Sequence, residues 1–322
     1  MPSRLTPGNV ILDKYRVERV LGRGAMGMVV LARHLRMDRL VAIKTLRHDV
    51  VKHPRRVARF YREAQIACTL QSEHVGRVYD VDCFGDGTPY MVMEYLRGCD
   101  LRHLIRTGGK LAPGAACELV LQACEALAEA HSVGIVHRDL KPANVFLTRS
   151  AGGAPLLKVI DFGISKVSMF DCDTITVSID MLGTPYYMSP EQIRSSKRVD
   201  ERADIWSLGV VLYELLSARR PFVGPGMVKL FRAISSEPMQ PLAGEVPDGL
   251  AAVVARCLEK KPAARFANMA ELACALAPYA ATPAQAARSC ERAACMLGLS
   301  EPPTLPYAGT AEGPDGAVAR VA

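Results

Sequence analysis

The hydrophobic period of the chain changes once, near Gly98, and no other feature limits the fold as strongly. Before that point short runs read as strands, the first of them alternating with the period of two expected of a half-buried strand. They are Tyr15-Arg16-Val17-Glu18-Arg19-Val20-Leu21, Met28-Val29-Val30-Leu31, Leu40-Val41-Ala42-Ile43-Lys44, Val75 to Tyr79 and Tyr90 to Tyr95. Gly85-Asp86-Gly87 between the last two is a hairpin signal. One helix interrupts them: from Arg55 to Leu70 there is no Gly or Pro, and Phe60, Ala64 and Ala67 recur at helical spacing. After Gly98 the pattern is helical. Ala116, Leu119, Val120, Ala123, Cys124 and Leu127 mark one face of a helix that opens at Pro113-Gly114 and stops near Gly134. Ile205 to Ser217, Leu250 to Glu259 and Met269 to Ala277 read as further helices. A last short one is expected from Thr282-Pro283, with Thr as cap and Pro in the first turn. The fold class is therefore α+β, in two bodies joined by a hinge near Glu94 to Gly98.

Composition excludes several other classes. Apolar residues make up 49% and charged residues 23% of the chain, which is ordinary for a globular protein. No apolar stretch is long enough to span a membrane, and residues 1–13 lack the basic start and apolar centre of a leader. The ten cysteines show no C-x-x-C pair, so they read as reduced thiols and the location as cytoplasmic. The net charge of +7 concentrates in Arg47 to Arg62. That run has no interleaved aromatics, so it reads as a solvated loop and helix face rather than a nucleic-acid site.

Three clusters carry chemistry. Gly22-Arg23-Gly24-Ala25-Met26-Gly27-Met28-Val29 is a G-x-G-x-x-G-x-V run between two strands, where bare backbone can approach phosphate oxygens and offer N–H donors. A dinucleotide-binding fold has a similar run, but there the glycines open a helix. Here β-rich Met28 to Leu31 follows. Downstream, Lys44 ends a β-rich strand and Glu63 sits on the helix. A buried lysine needs a paired carboxylate, and such a pair can hold the ammonium against two phosphates. The third cluster is His137-Arg138-Asp139-Leu140-Lys141-Pro142-Ala143-Asn144, followed by Asp161-Phe162-Gly163.

On these three clusters the chain, from about Tyr15 to Pro278, closely resembles the eukaryotic-like (Hanks-type) serine/threonine protein kinases of bacteria. The resemblance implies a bilobal protein-kinase fold: residues 1–14 as lead-in, 15–96 as a small antiparallel β lobe with one helix, and 97–278 as a larger helical lobe. Residues 279–300 would form a short helical extension and 301–322 a disordered tail. It implies ATP-dependent phosphoryl transfer to Ser or Thr hydroxyls of proteins, with Mg²⁺ as the metal and Mn²⁺ as an alternative. Asp139 is then the carboxylate that accepts the substrate proton, Lys141 the cation that meets the γ-phosphate, and Asn144 and Asp161 the metal ligands. Leu21, Val29, Ala42 and Phe146 would sandwich the purine, with Met93 behind it and backbone groups of Glu94 and Leu96 at its edge.

His137 and Phe162 read as packing residues. Glu191, in a Ser189-Pro190-Glu191 run where the family has A-P-E, is expected to clasp Arg265. Asp204 is expected to brace the backbone of the 137–144 loop. Thr184 resembles the threonine at the substrate-docking end of the loop. Thr174, Thr176 and Ser178 are candidate sites of activating autophosphorylation, with Arg138 as the dock and Lys166 and Arg59 as helpers. The expected partners are protein substrates, with no nucleic acid and no membrane span. Self-association could use the Lys52–Arg59 surface or the Thr282–Leu299 helix. Two other readings compete: a pseudokinase scaffold, which predicts a missing Lys, Asp or Asn, and a small-molecule phosphotransferase, which predicts no segment ending in S/A-P-E.

Overall fold

The strand-like runs of the first hundred residues form one antiparallel sheet. The computed structural model describes residues 4–24, 26–162, 185–195, 199–242 and 244–304. β1 (Val10–Ile11), β2 (Tyr15–Arg23), β3 (Gly27–His34), β4 (Arg39–Leu46), β5 (Val78–Cys83) and β6 (Pro89–Glu94) lie in the order β1-β2-β3-β4-β6-β5. The inward face carries Val17, Val30, Val41, Ile43 and Val92. The segment before Tyr15 is more than a lead-in: Leu5 and Ile11 are buried in this same cluster.

The strand expected at Val75 to Tyr79 lies three residues later. Val75 instead bridges Val159, and Gly76 donates its N–H to the Val159 carbonyl. β5 is an edge strand with Asp80 and Asp82 on it, and charge on an edge blurs the apolar alternation.

α1 (His48–Val51) and α2 (Pro54–Thr69) cross the sheet. Phe60 and Ala64 of α2 are buried against Leu46, Val50 and Met91. That contact fixes which face of α2 turns toward β4. The chain leaves β6 at Glu94 and enters β7 (Cys99–Asp100) through 95–98. Gly98 is required there, because a Cβ would overlap the Leu147 carbonyl.

The second lobe is built around α4 (Pro113–Ser132) and α6 (Arg202–Ser217), which are buried on nearly all sides. A helix without a polar face belongs in the interior of a larger body, and α3 (Leu101–Gly108), α5 (Pro190–Arg194), α7 (Met227–Ser236), α8 (Asp248–Cys257) and α9 (Met269–Leu276) surround the pair. β7 also forms a three-stranded sheet with β8 (Val145–Arg149) and β9 (Pro155–Val159), an element the periodicity did not reveal.

α10 (Pro283–Met296) starts where Thr282-Pro283 predicts, although the Thr282 side chain makes no capping bond. Its small face, Ala286, Cys290, Ala293 and Ala294, is buried against α4 and α9. Ser289 donates to Glu125 at 2.6 Å. That face is committed within the chain, which leaves only the opposite, polar face of α10 for self-association.

Candidate active site

The glycine run forms the turn between β2 and β3, closed by Gly24 N–H donating to the Gly27 carbonyl at 2.9 Å. Its glycines have different reasons. At Gly27 a Cβ would overlap the Thr45 carbonyl of β4, so close strand packing excludes any side chain. At Gly22 and Gly24 no protein atom lies within 4 Å of such a Cβ, and both residues border a cavity of about 480 Å³.

Lys44 enters that cavity from β4, paired in register with Val29. Its Nζ donates to Glu63 Oε1 at 2.6 Å and to Asp161 Oδ1 at 2.9 Å. One ammonium thus serves two carboxylates. Burial disfavours the charged lysine, but Asp161 and Glu63 together raise it above its usual value. Burial would also raise Asp161, yet Lys44 holds it low. Glu63 moves the other way. Burial pushes its carboxyl up to about 7, against the pull of Lys44 and with the help of the Asp161 charge.

Because that value lies above the ordinary 4.5, protonation of Glu63 favours the folded state, a contribution lost as pH rises through about 7. Carbon-13 NMR of the nucleotide-free protein should find the Glu63 titration near 7. Asp161→Asn should move it downward, since the repelling charge goes and Lys44 becomes Glu63's alone. An unmoved titration would contradict this charge arrangement.

The far wall is the loop 137–144. Asp204, fully buried at the start of α6, accepts from the backbone N–H of His137 at 2.8 Å and of Arg138 at 2.9 Å. Burial would raise this carboxyl, but hydrogen bonding from His131 (Nε2 at 2.9 Å), the charges of His131 and His137 and the Arg138 N–H hold it low. The anchored backbone puts Arg138 in the left-handed region at φ 62°, and Asp161 follows at 57°. Such conformations persist where the surroundings over-determine them. His137 is buried against Phe162 with ring centroids 4.8 Å apart, and burial lowers its pKa.

Lys141 Nζ donates to Asp139 Oδ2 at 2.7 Å, and Asn144 Nδ2 donates to the Asp139 carbonyl at 2.9 Å. With its nitrogen so committed, the Asn144 amide presents its oxygen, a hard donor, on the same cavity as Asp161. These two oxygens fit Mg²⁺, and the clearance at Gly22 and Gly24 fits a phosphate chain.

Residues 15–276 match the protein kinase domain family. This chain belongs to that family. Its relatives include serine/threonine-protein kinase PknB of Mycolicibacterium smegmatis, 38% identical over 274 residues, and PknB of Mycobacterium tuberculosis, 39% identical over the same length. Each alignment covers 83% of this chain and 43% of the relative. Serine/threonine-protein kinase Pkn1 of Myxococcus xanthus is 40% identical over 259 residues, covering 80% of this chain and 37% of its own. The chain thus spans less than half the length of these relatives.

In this kinase domain the cavity gathers Gly22, Arg23, Gly24, Met26, Gly27, Met28, Val29, Lys44, Glu63, Asp139, Lys141, Asn144 and Asp161. Of the expected purine contacts only Val29 lines it. Ala42 pairs with Met93 on the neighbouring strand, Leu21 is partly exposed on β2, and Phe146 lies on β8 near Gly98. Leu96 falls in the 95–98 connection. Glu94 is ion-paired to Lys158 at 2.9 Å, and its N–H is donated to the Arg77 carbonyl.

Ala25, Lys166, Thr174, Thr176, Ser178 and Thr184 lie outside the described residues. The sequence reading missed Arg56, which lines the cavity beside Arg59, and His131, the side-chain partner of Asp204. His131 had no visible signal, because its function depends on a contact with α6.

Proposed function

We propose that this chain is an ATP-dependent serine/threonine protein kinase that transfers the γ-phosphoryl group of Mg-ATP to Ser or Thr hydroxyls of protein substrates. The observation that carries the reading is the convergence on one cavity of Lys44, held by Glu63 and Asp161, with Asp139, Lys141 and Asn144. The printed names of the relatives support it.

Phosphoryl transfer needs positioning and charge neutralisation more than covalent help from the protein. Lys44 orients the phosphates of the nucleotide. Asn144 and Asp161 would hold Mg²⁺, which supplies neutralisation of the phosphate charge. Asp139 aligns the substrate hydroxyl and takes its proton as the oxygen bonds to the γ-phosphorus and the bond to the ADP oxygen breaks. Lys141, 2.7 Å from Asp139, contributes positive charge where the transferred group passes.

Activation by autophosphorylation at Thr174, Thr176 or Ser178 is part of the proposal, with Arg138 beside Asp139 as the dock. The nine described cysteines are free thiols, which supports a reducing location such as the cytoplasm. Among the described residues no helix is long and apolar enough to cross a membrane.

A radiolabel assay offering a generic protein substrate tests the reading. Wild type should label the protein, and Lys44→Met should lower labelling about 10²-fold, as loss of one preorganised charge does. A wild type that binds Mg-ATP without transfer would favour the pseudokinase. Labelling confined to small molecules would favour the other phosphotransferase.

A further inference from the structure

Gln192 lies on the short helix α5, outside the cavity, yet it touches the loop that carries Asp139. Its Nε2 donates to the Arg138 carbonyl at 2.8 Å. Its Oε1 accepts from the Ser189 N–H at 2.9 Å and from the Ser189 hydroxyl at 3.2 Å. Since the Ser189 N–H can only donate and the Arg138 carbonyl can only accept, the orientation of the Gln192 amide is fixed. Gln192 and Ser189 are both buried, so neither bond competes with water.

The Arg138 carbonyl belongs to the peptide plane whose nitrogen is that of Asp139. Arg138 stands at φ 62°, a backbone that a residue with a side chain rarely adopts. Its N–H is held by Asp204 at 2.9 Å and its carbonyl by Gln192 at 2.8 Å. Asp204 holds the N–H of the peptide before Arg138. The peptide after it is held at two points, its Asp139 N–H donating within the loop to the His137 carbonyl at 2.9 Å and its Arg138 carbonyl accepting from Gln192, the hold that comes from outside the loop, and that plane aims the Asp139 side chain.

We propose that Gln192 is a positioning residue for Asp139, acting through the Arg138 carbonyl, and that the backbone N–H of residue 189 holds the Gln192 amide in register. The proposal rests on the kinase reading of Asp139. It links the end of the loop segment, where Ser189 stands in place of the family's Ala, to the proton acceptor. Order at that end would be felt at Asp139 without any contact with nucleotide.

Three variants test it. Gln192→Glu keeps an acceptor for the Ser189 N–H but has no donor for the Arg138 carbonyl. Gln192→Met keeps the length and loses both bonds. Ser189→Ala removes the hydroxyl and leaves the Gln192–Arg138 bond. Misplacing a reacting group by about 1 Å can cost 10²-fold. Both Gln192 variants should therefore lose about 10- to 100-fold in kcat with KM for ATP within about twofold, and Ser189→Ala should stay within about threefold of wild type.

Amide exchange of the 137–144 peptide should accelerate in both Gln192 variants and not in Ser189→Ala. Wild-type kcat in Gln192→Glu, an equal rise in KM for ATP, or a loss in Ser189→Ala as large as in Gln192→Glu would overturn the proposal. The exchange measurement judges it independently of chemistry. An inert wild type sinks the kinase reading, whereas unchanged loop exchange in the Gln192 variants sinks the positioning role.

Discussion

Asp139→Asn should lower phosphoryl transfer by about 10²–10⁴-fold while leaving nucleotide binding and the fold in place. The contacts that shape the loop explain why the substitution isolates the chemistry. Asp204 holds the backbone N–H groups of His137 and Arg138, Gln192 holds the Arg138 carbonyl, and Asn144 donates to the Asp139 carbonyl. These bonds engage backbone atoms of the loop, and none uses the Asp139 carboxylate. The carboxylate itself accepts from Lys141 Nζ at 2.7 Å and, more weakly, from Asn144 Nδ2 at 3.4 Å. An asparagine of the same shape keeps the loop but cannot take the hydroxyl proton.

The measurement is initial-rate transfer to a protein substrate, with Mg-ATP affinity measured by calorimetry on the same preparations. Mass spectrometry of residues 171–180 in protein expressed with ATP available adds a second readout. Wild type should carry phosphate there and Asp139→Asn should not. An active Asp139→Asn variant would remove Asp139 from the role of proton acceptor. Equal and absent modification in both proteins would remove autophosphorylation from the proposal.

What the sequence revealed and what it hid divide along a physical line. The Lys44–Glu63 pair was legible because both residues stand on periodic elements with buried neighbours, Ile43 on the strand and Ala64 on the helix. A charged group in an apolar run needs a partner, and the strand–helix–strand order made Glu63 the available one. The Glu191–Arg265 clasp was legible only through the family resemblance, since nothing in their spacing brings them together.

Elements with weak periodicity escaped. β1, at two residues, is too short for a pattern to stand out, and β8 and β9 are short runs set among helices. β5 was displaced because Val75, apolar and next to Gly76, is used by the second sheet rather than the first. Gln192 and His131 were invisible for another reason. Each acts through a hydrogen bond to a group more than 50 positions away in the chain, and a polar side chain looks the same in sequence whether it meets water or a buried partner.

Arg265→Ala should destabilise the fold by about 3–5 kcal/mol, the range seen when one member of a buried ion pair is removed. The Arg265 side chain is 0% exposed and that of Glu191 15%, so neither charge can fall back on water. The guanidinium meets the carboxylate with two parallel bonds, Nη1 to Oε1 at 2.7 Å and Nη2 to Oε2 at 2.8 Å. It also donates to the carbonyls of Arg202 at 2.8 Å and Glu259 at 2.8 Å. Removing it leaves an uncompensated carboxylate and two carbonyls that lose a partner.

Arg265→Lys should recover part of the loss, because an ammonium restores the charge but not the planar fork. Pairing Arg265→Ala with Glu191→Gln should cost less than the two single changes summed, since the second removes the orphaned charge. Lys260 supplies an independent reporter. Its ammonium lies over the Phe222 ring at 3.8 Å, and burial, then the Arg265 charge, lower its pKa to about 8. Arg265→Ala should therefore raise the Lys260 titration, read by NMR of the reductively methylated amine. Urea unfolding of wild type, the three single variants and the double variant measures the stability series. An Arg265→Ala protein within about 1 kcal/mol of wild type, the worth of an exposed pair, would mean that α5 is held by its apolar contacts, and that the clasp does not set the ground on which Ser189 and Gln192 stand.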